Sequence, residues 1–156
     1  MYLYFIEFFL VLFYWFFMHK ISGVYSAALT PINEDLTINR DLYLRHCQYL
    51  MKQGHDGLAI FGTTGEANSF SIKEKCLSID FLIANRIDPK VLIPGTGSSS
   101  VKDSILMTKH ADEHGVKGVL LLPPFYYKNV CDEGIIKYYQ NIIETVGSDS
   151  LKYILY

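Results

Sequence analysis

The chain is 156 residues long, half hydrophobic, with a net charge of −2. That length and composition suffice for one sizeable core and exclude a disordered chain, while the scattered Lys and Arg lack the basic stripe of a nucleic-acid-binding protein. Its three cysteines, Cys47, Cys76 and Cys131, are odd in number and far apart. This spacing suits reduced thiols in a cytoplasm rather than a disulfide framework or a zinc site, and each is expected to pack in, or at the start of, a helix.

In chain order, the first 18 residues stand apart: MYLYFIEFFLVLFYWFFM carries a single charge, Glu7, and the composition changes at His19-Lys20. The stretch is marginal in length for a membrane span and lacks the basic start and small-residue cleavage site of a secretory signal. It reads as sequence upstream of a true start at Met18, as a membrane anchor, or as a buried or interfacial helix, the first being preferred. Residues 1–20 are therefore set apart from a domain over residues 21–156.

From Gly23 onward, short apolar runs alternate with helical stretches at intervals of about 30 residues, the period of a βα unit. Strands are expected at 24–29, 58–61, 91–94, 119–122 and 153–156, apolar without alternation, as in parallel strands buried on both faces. Between them, Tyr43, Cys47, Leu50 and Met51 share one helix face, and Ile135, Tyr139, Ile142 and Val146 another. Ser71 with Glu74 forms a capping-box pattern, and Gly54 and Gly115 sit where helices should stop. The pattern is α/β: four βα units plus a fifth strand, fitting a doubly wound sheet or part of a (β/α)8 barrel, whose complete form needs about 250 residues.

The motif with most chemical content is Gly62-Thr63-Thr64-Gly65-Glu66, where the run Leu58-Ala59-Ile60-Phe61 breaks into a loop. Two glycines allow a sharp turn, and two hydroxyls with several backbone N–H groups can hold a carboxylate or phosphate. Glu66 is expected to cap the loop or pair with a neighbour, since a carboxylate beside a bound carboxylate would oppose it. His110 and His114, spaced i, i+4, could share a metal ion but are read as a solvated helix face, because Asp112-Glu113 between them do not make a His-Glu-x-x-His motif. Gly95-Thr96-Gly97 lacks the third glycine and the spaced acid of a dinucleotide fingerprint, so no nucleotide cofactor is expected.

Taken in order, four segments and the final strand resemble the dihydrodipicolinate synthase and N-acetylneuraminate lyase family of pyruvate-dependent class I aldolases. Gly23-Val24-Tyr25-Ser26-Ala27-Ala28-Leu29-Thr30-Pro31 is similar to the family's first strand. Gly57 to Ala67 resembles its second strand and signature loop, Ile93-Pro94-Gly95-Thr96-Gly97 the end of its third, and Leu122-Pro123-Pro124-Phe125-Tyr126-Tyr127 the end of its fourth. Tyr153-Ile154-Leu155-Tyr156 resembles the fifth, so the likeness covers about residues 21–156 and implies the amino-terminal half of a (β/α)8 barrel.

The resemblance implies a proton relay of Thr63, Tyr126 and Tyr156, with Tyr126 reaching a neighbouring subunit's site and Tyr127 as the alternative if the aromatic triplet slips by one. It places the pyruvate carboxylate on the Thr64 hydroxyl and on backbone N–H groups from Thr63 to Gly65. It implies as partners pyruvate with a small aldehyde or keto-acid substrate and, at full length, a homo-oligomer, a tetramer, in the cytoplasm, with membrane contact only through residues 1–18. No metal or other cofactor is implied. The Schiff-base lysine would come from a sixth strand, and of the lysines present only Lys128 lies on the correct face, where it reads as a solvated loop residue. The chain alone is accordingly expected to be inactive. Lys128-Asn129-Val130 and the serines Ser98 to Ser100 depart from the synthase pattern and keep sugar-acid aldolases open as relatives. The non-enzymatic alternatives are a truncated product, membrane-tethered or not, and a small anion-binding α/β protein.

Overall fold

A computed structural model describes residues 21–156; the extension over 1–20, with the three readings given for its apolar stretch, lies outside the described residues. Four strands, β1 Tyr25–Ala27, β2 Gly57–Ala59, β3 Gly118–Leu121 and β4 Lys152–Leu155, and four helices, α1 Arg40–Lys52, α2 Ile72–Ala84, α3 Val101–Glu113 and α4 Asp132–Val146, follow in the order β1-α1-β2-α2-α3-β3-α4-β4. Local chemistry sets the helix ends. Asn39 caps α1 by accepting from the Leu42 N–H, the expected Ser71/Glu74 capping box opens α2, and Ser100 accepts from the Asp103 N–H at the start of α3. Gly54 and Gly115 follow α1 and α3 with positive φ, as expected of helix stops.

β1 pairs with β2 and β3 with β4, both in parallel. The run expected as a strand at 91–94 is instead a bridge between the two ladders. A 3-10 turn over Pro89–Val91 occupies its beginning. Beyond it, Ile93 N–H donates to the Leu58 carbonyl at 2.9 Å and Gly95 N–H to that of Ile60 at 2.8 Å. On the other side the Leu120 N–H donates to the Pro94 carbonyl at 2.9 Å and the Thr96 N–H to that of Leu120 at 2.9 Å. Pro94 has no N–H to give, which limits the run to isolated parallel bridges.

All extended segments are thus parallel and lie side by side in chain order, and each helix packs against the next one. A doubly wound sheet reverses its strand order at a switch point; this one does not, so of the two expected architectures the winding is that of a barrel. Among the described residues β1 and β4 do not pair, and the sheet stays open. No helix of the described residues is long and apolar enough to cross a membrane.

The main core lies between the strands and α1 to α3, with Leu58, Ile60, Ile79, Leu82, Leu92 and Met107 completely buried. Tyr43 and Cys47 fill it from α1, and burial pushes the Cys47 thiol up to about 12. A smaller cluster, Leu121, Tyr138 and Ile142, seats α4.

Two expectations about side chains need correction. Cys47 is a packing residue as expected and Cys76 is half-buried, but Cys131 is exposed at the N-cap of α4, where its side chain makes no capping bond. Tyr139 and Val146 pack against the Ile142 cluster, as their shared face implies, and Tyr138 beside them is the more deeply buried aromatic of α4: its hydroxyl donates to the Ser98 carbonyl at 2.6 Å and lies 2.7 Å from Ser104 Oγ. His110 and His114 do not form a solvated face. Their side chains are only 22% and 32% exposed and both meet Asp80 of α2.

Candidate active site

The site begins with a strained residue. Phe61 ends the run after β2 with φ +53°, a left-handed conformation that costs a bulky side chain on the order of 1–3 kcal/mol. Packing holds it there. The ring is completely buried, edge-on to Tyr43 at 5.7 Å and to Phe70 at 6.4 Å between centroids. The turn throws Gly62-Thr63-Thr64 outward over the ends of the strands. The loop then recloses through Glu66 N–H to the Thr63 carbonyl at 3.1 Å and Ala67 N–H to that of Gly62 at 3.3 Å.

Two glycines let this loop seat. A Cβ on Gly95 would collide with the Phe61 carbonyl, so only glycine allows the bridging run to pass so near the loop. Gly65 is buried under the loop, where a Cβ would come within 2.9 Å of the Ala28 carbonyl, and its own carbonyl accepts from Thr30 Oγ1 at 2.8 Å. Glu66 is exposed, and its expected capping role belongs to its main chain, since its side chain makes no capping bond. It stands in the left-handed region, and its carbonyl accepts from Ser69 N–H at 2.8 Å.

A cavity of about 200 Å³ opens at this end of the strands. Ala27, Ala59, Leu120 and Leu122 give it an apolar wall, Gly62 and Gly95 supply bare backbone, and Thr63, Thr64 and Tyr156 bring the hydroxyls. The backbone N–H groups of Thr63, Thr64 and Gly65 donate to no other described residue. Free amides beside two hydroxyls on an apolar floor can hold the carboxylate of a small acid through fixed dipoles. Tyr156 lies just beyond β4 rather than inside it. Its N–H donates to the Leu121 carbonyl at 3.3 Å, which extends the pairing and holds the ring at the cavity.

Of the residues singled out from sequence, Thr63, Thr64 and Tyr156 therefore share one cavity, while Gly65 shapes the loop beneath it. Tyr126 and Tyr127 do not reach that cavity: they are 73% and 62% exposed in the loop after β3, edge-on to each other. Lys128 in the same loop is exposed, and no lysine of the described residues lines the cavity. The sequence reading missed Gly95 as a packing requirement and also missed Lys75. That lysine is buried in α2, its amine held below the usual range by burial, in the wall of a separate groove with Ser98, Asp103 and Phe125. A contact between Gly95 and Phe61 has no local signature, whereas a lysine at a core-facing helical position could have been noticed.

Comparison with known proteins agrees with this geometry. The sequence pattern of the Dihydrodipicolinate synthetase family matches residues 20–156. The 4-hydroxy-tetrahydrodipicolinate synthase of Bacillus velezensis is 34% identical over 137 residues, 88% of this chain and 46% of that protein. In crystal structures, dihydrodipicolinate synthase from Agrobacterium tumefaciens superposes with a TM-score of 0.82 at 30% identity, over 86% of this chain and 47% of that one. YagE, a prophage protein of the dihydrodipicolinic acid synthase family from E. coli K12 solved in complex with pyruvate, shares the fold with a TM-score of 0.76 at 24% identity, over 87% and 44% of the two chains. The chain spans about half the length of the relatives it matches. With the barrel-type winding, the loop at the strand ends and the family pattern in agreement, the chain belongs to the dihydrodipicolinate synthetase family.

Proposed function

We propose that residues 21–156 supply the amino-terminal half of a pyruvate-dependent Schiff-base aldolase or lyase of the dihydrodipicolinate synthase type. The observation that carries this reading is the convergence of Thr63, Thr64 and Tyr156 on one small, apolar-floored cavity. The pyruvate carboxylate sits on the Thr64 hydroxyl and the free N–H groups of Thr63 to Gly65. A lysine amine condenses with the ketone and expels water. Loss of a methyl proton then gives the enamine that attacks an aldehyde, or that is regenerated by the reverse cleavage. Tyr156 and Thr63 move these protons.

Among the described residues no lysine lines the cavity, so they contribute the carboxylate cradle and two members of the relay but not the nucleophile. Tyr126, exposed and away from its own cavity, is suited to complete the relay in a neighbouring subunit of a homo-oligomer, a tetramer at full length. The second substrate is a small aldehyde or keto acid, with 4-hydroxy-tetrahydrodipicolinate synthesis and 2-keto-3-deoxy sugar acid cleavage as the two candidate reactions.

Pyruvate titration followed by amide NMR tests the cradle. Shifts confined to Thr63 to Gly65 and the end of β4, with binding about tenfold weaker in Thr64→Val, are expected for one charge-assisted hydrogen bond lost. Unperturbed loop amides at saturating pyruvate would refute it.

A further inference from the structure

Outside the cavity, α2 and α3 bring together three metal-type ligands that the aldolase reading does not use. His110 Nε2 and His114 Nε2, one helical turn apart on α3, each lie 2.8 Å from Asp80 Oδ1 on α2, and their rings meet edge-on at 4.7 Å. Neither approach is aligned as a hydrogen bond. Asp80 Oδ1 and His110 Nε2 are shielded from solvent and have no hydrogen-bond partner. Two orphaned buried polar atoms at one point mark a place built for something that binds both.

We propose that Asp80, His110 and His114 form a site for one divalent transition-metal ion of the zinc type, which pins α2 to α3 on the outside of the strands. A tetrahedral ion held about 2.0–2.1 Å from each ligand sets neighbouring donors about 3.3 Å apart; the three donor atoms here lie within 4.8 Å of one another, with each His–Asp separation at 2.8 Å, so the cluster opens by about half an ångström to seat the ion. Two imidazoles and a carboxylate suit zinc and its first-row neighbours rather than magnesium or calcium, and water completes the coordination. The position also favours a cation: His110 lies in the last turn of α3 and His114 is its C-cap, where the helix dipole is negative. Cys76, one turn before Asp80, is engaged elsewhere, its Sγ donating to Met107 Sδ at 3.6 Å, so the donor set is nitrogen and oxygen.

The test uses the untagged chain stripped of metal, titrated with Zn²⁺ against a chromogenic chelator and with Co²⁺ by absorption spectroscopy. One Zn²⁺ should bind per chain. Affinity should fall at least about 100-fold both in Asp80→Asn and in the paired His110→Gln, His114→Gln variant, and stay unchanged in Glu113→Gln, an exposed acid on the same helix. The Co²⁺ spectrum should show ligand-field bands without thiolate charge transfer. Far-UV circular dichroism of each metal-free variant checks its fold, and Asp80→Asn alone decides if the paired variant loses helix. Failure of the folded chain to bind Zn²⁺, a thiolate-type Co²⁺ spectrum, or equal affinity in Asp80→Asn would overturn the proposal.

Discussion

β2 and β4 are both short parallel strands, yet they live in different surroundings. β2 is flanked by β1 on one side and the 92–96 run on the other, and Leu58 and Ile60 are completely buried. Among the described residues β4 has one neighbour, β3; none of its residues is fully buried, and Leu155 is 56% exposed. The two ends of the sheet therefore do different work. The β1–β2 end carries the core and the Thr63-Thr64 loop, whereas among the described residues the β4 end offers an apolar parallel edge without a partner beside the cavity. Tyr156 sits at that edge, so its setting depends on what packs there, while the Thr63-Thr64 loop is anchored within the β1–β2 end by Phe61, Gly65 and Gly95.

The contrast is sharpest in large-to-small substitutions. Leu58→Ala should cost about 3 kcal/mol or more in urea unfolding, and Ile154→Ala on β4 about 1 kcal/mol or less. Equal losses would mean that β4 is packed as deeply as β2. The link between the two ends runs through α4 and the loop after the bridging run: Tyr138→Phe removes the hydroxyl that meets Ser98 and Ser104 and should cost about 1–2 kcal/mol. An unchanged midpoint would show that apolar packing alone seats α4.

A smaller effect belongs to the α2 cap, where Ser71→Ala should cost about 1 kcal/mol. Hydrogen bonds from Ser71, first its side chain and then its backbone, hold the Glu74 carboxyl below the usual range. The folded chain thus takes up that proton at lower pH than the unfolded one, and the stabilisation is complete above the ordinary carboxylate value and fades as pH falls through the folded one. Stability measured from pH 7 down to 3 should show the wild-type advantage over Ser71→Ala shrinking with acid; a constant difference would contradict this. The least perturbing probe is thiol alkylation in the native state. Cys131 should react freely, while Cys47, buried and with its thiol pushed up to about 12, should stay unmodified until the chain unfolds.

How much of this was legible in the sequence depended on whether the signal was local. The capping box, the glycine helix stops and the Thr63-Thr64 loop are patterns within a few residues, and they stand where the sequence placed them. The third strand was misplaced because Pro89 and Pro94 convert an apolar run into a 3-10 turn followed by bridges. Tyr138 drew no notice because helical spacing reports a face but not where a hydroxyl finds Ser98 and Ser104, some 40 and 34 residues away in the chain. The His110/His114 spacing was visible, yet Asp80 lies on another helix, so their convergence could not be read from either segment alone. Tyr126 and Tyr127 share one exposed loop, and its packing gives neither of them a cavity.

The central proposal is that this chain builds the carboxylate cradle and part of the proton relay but brings no Schiff-base lysine to them. Borohydride reduction in the presence of pyruvate, followed by intact-mass and peptide analysis, tests it most directly. The account predicts no stable pyruvyl adduct on the purified chain. A stoichiometric adduct, on Lys128, Lys75 or any other lysine of these 156 residues, would contradict it.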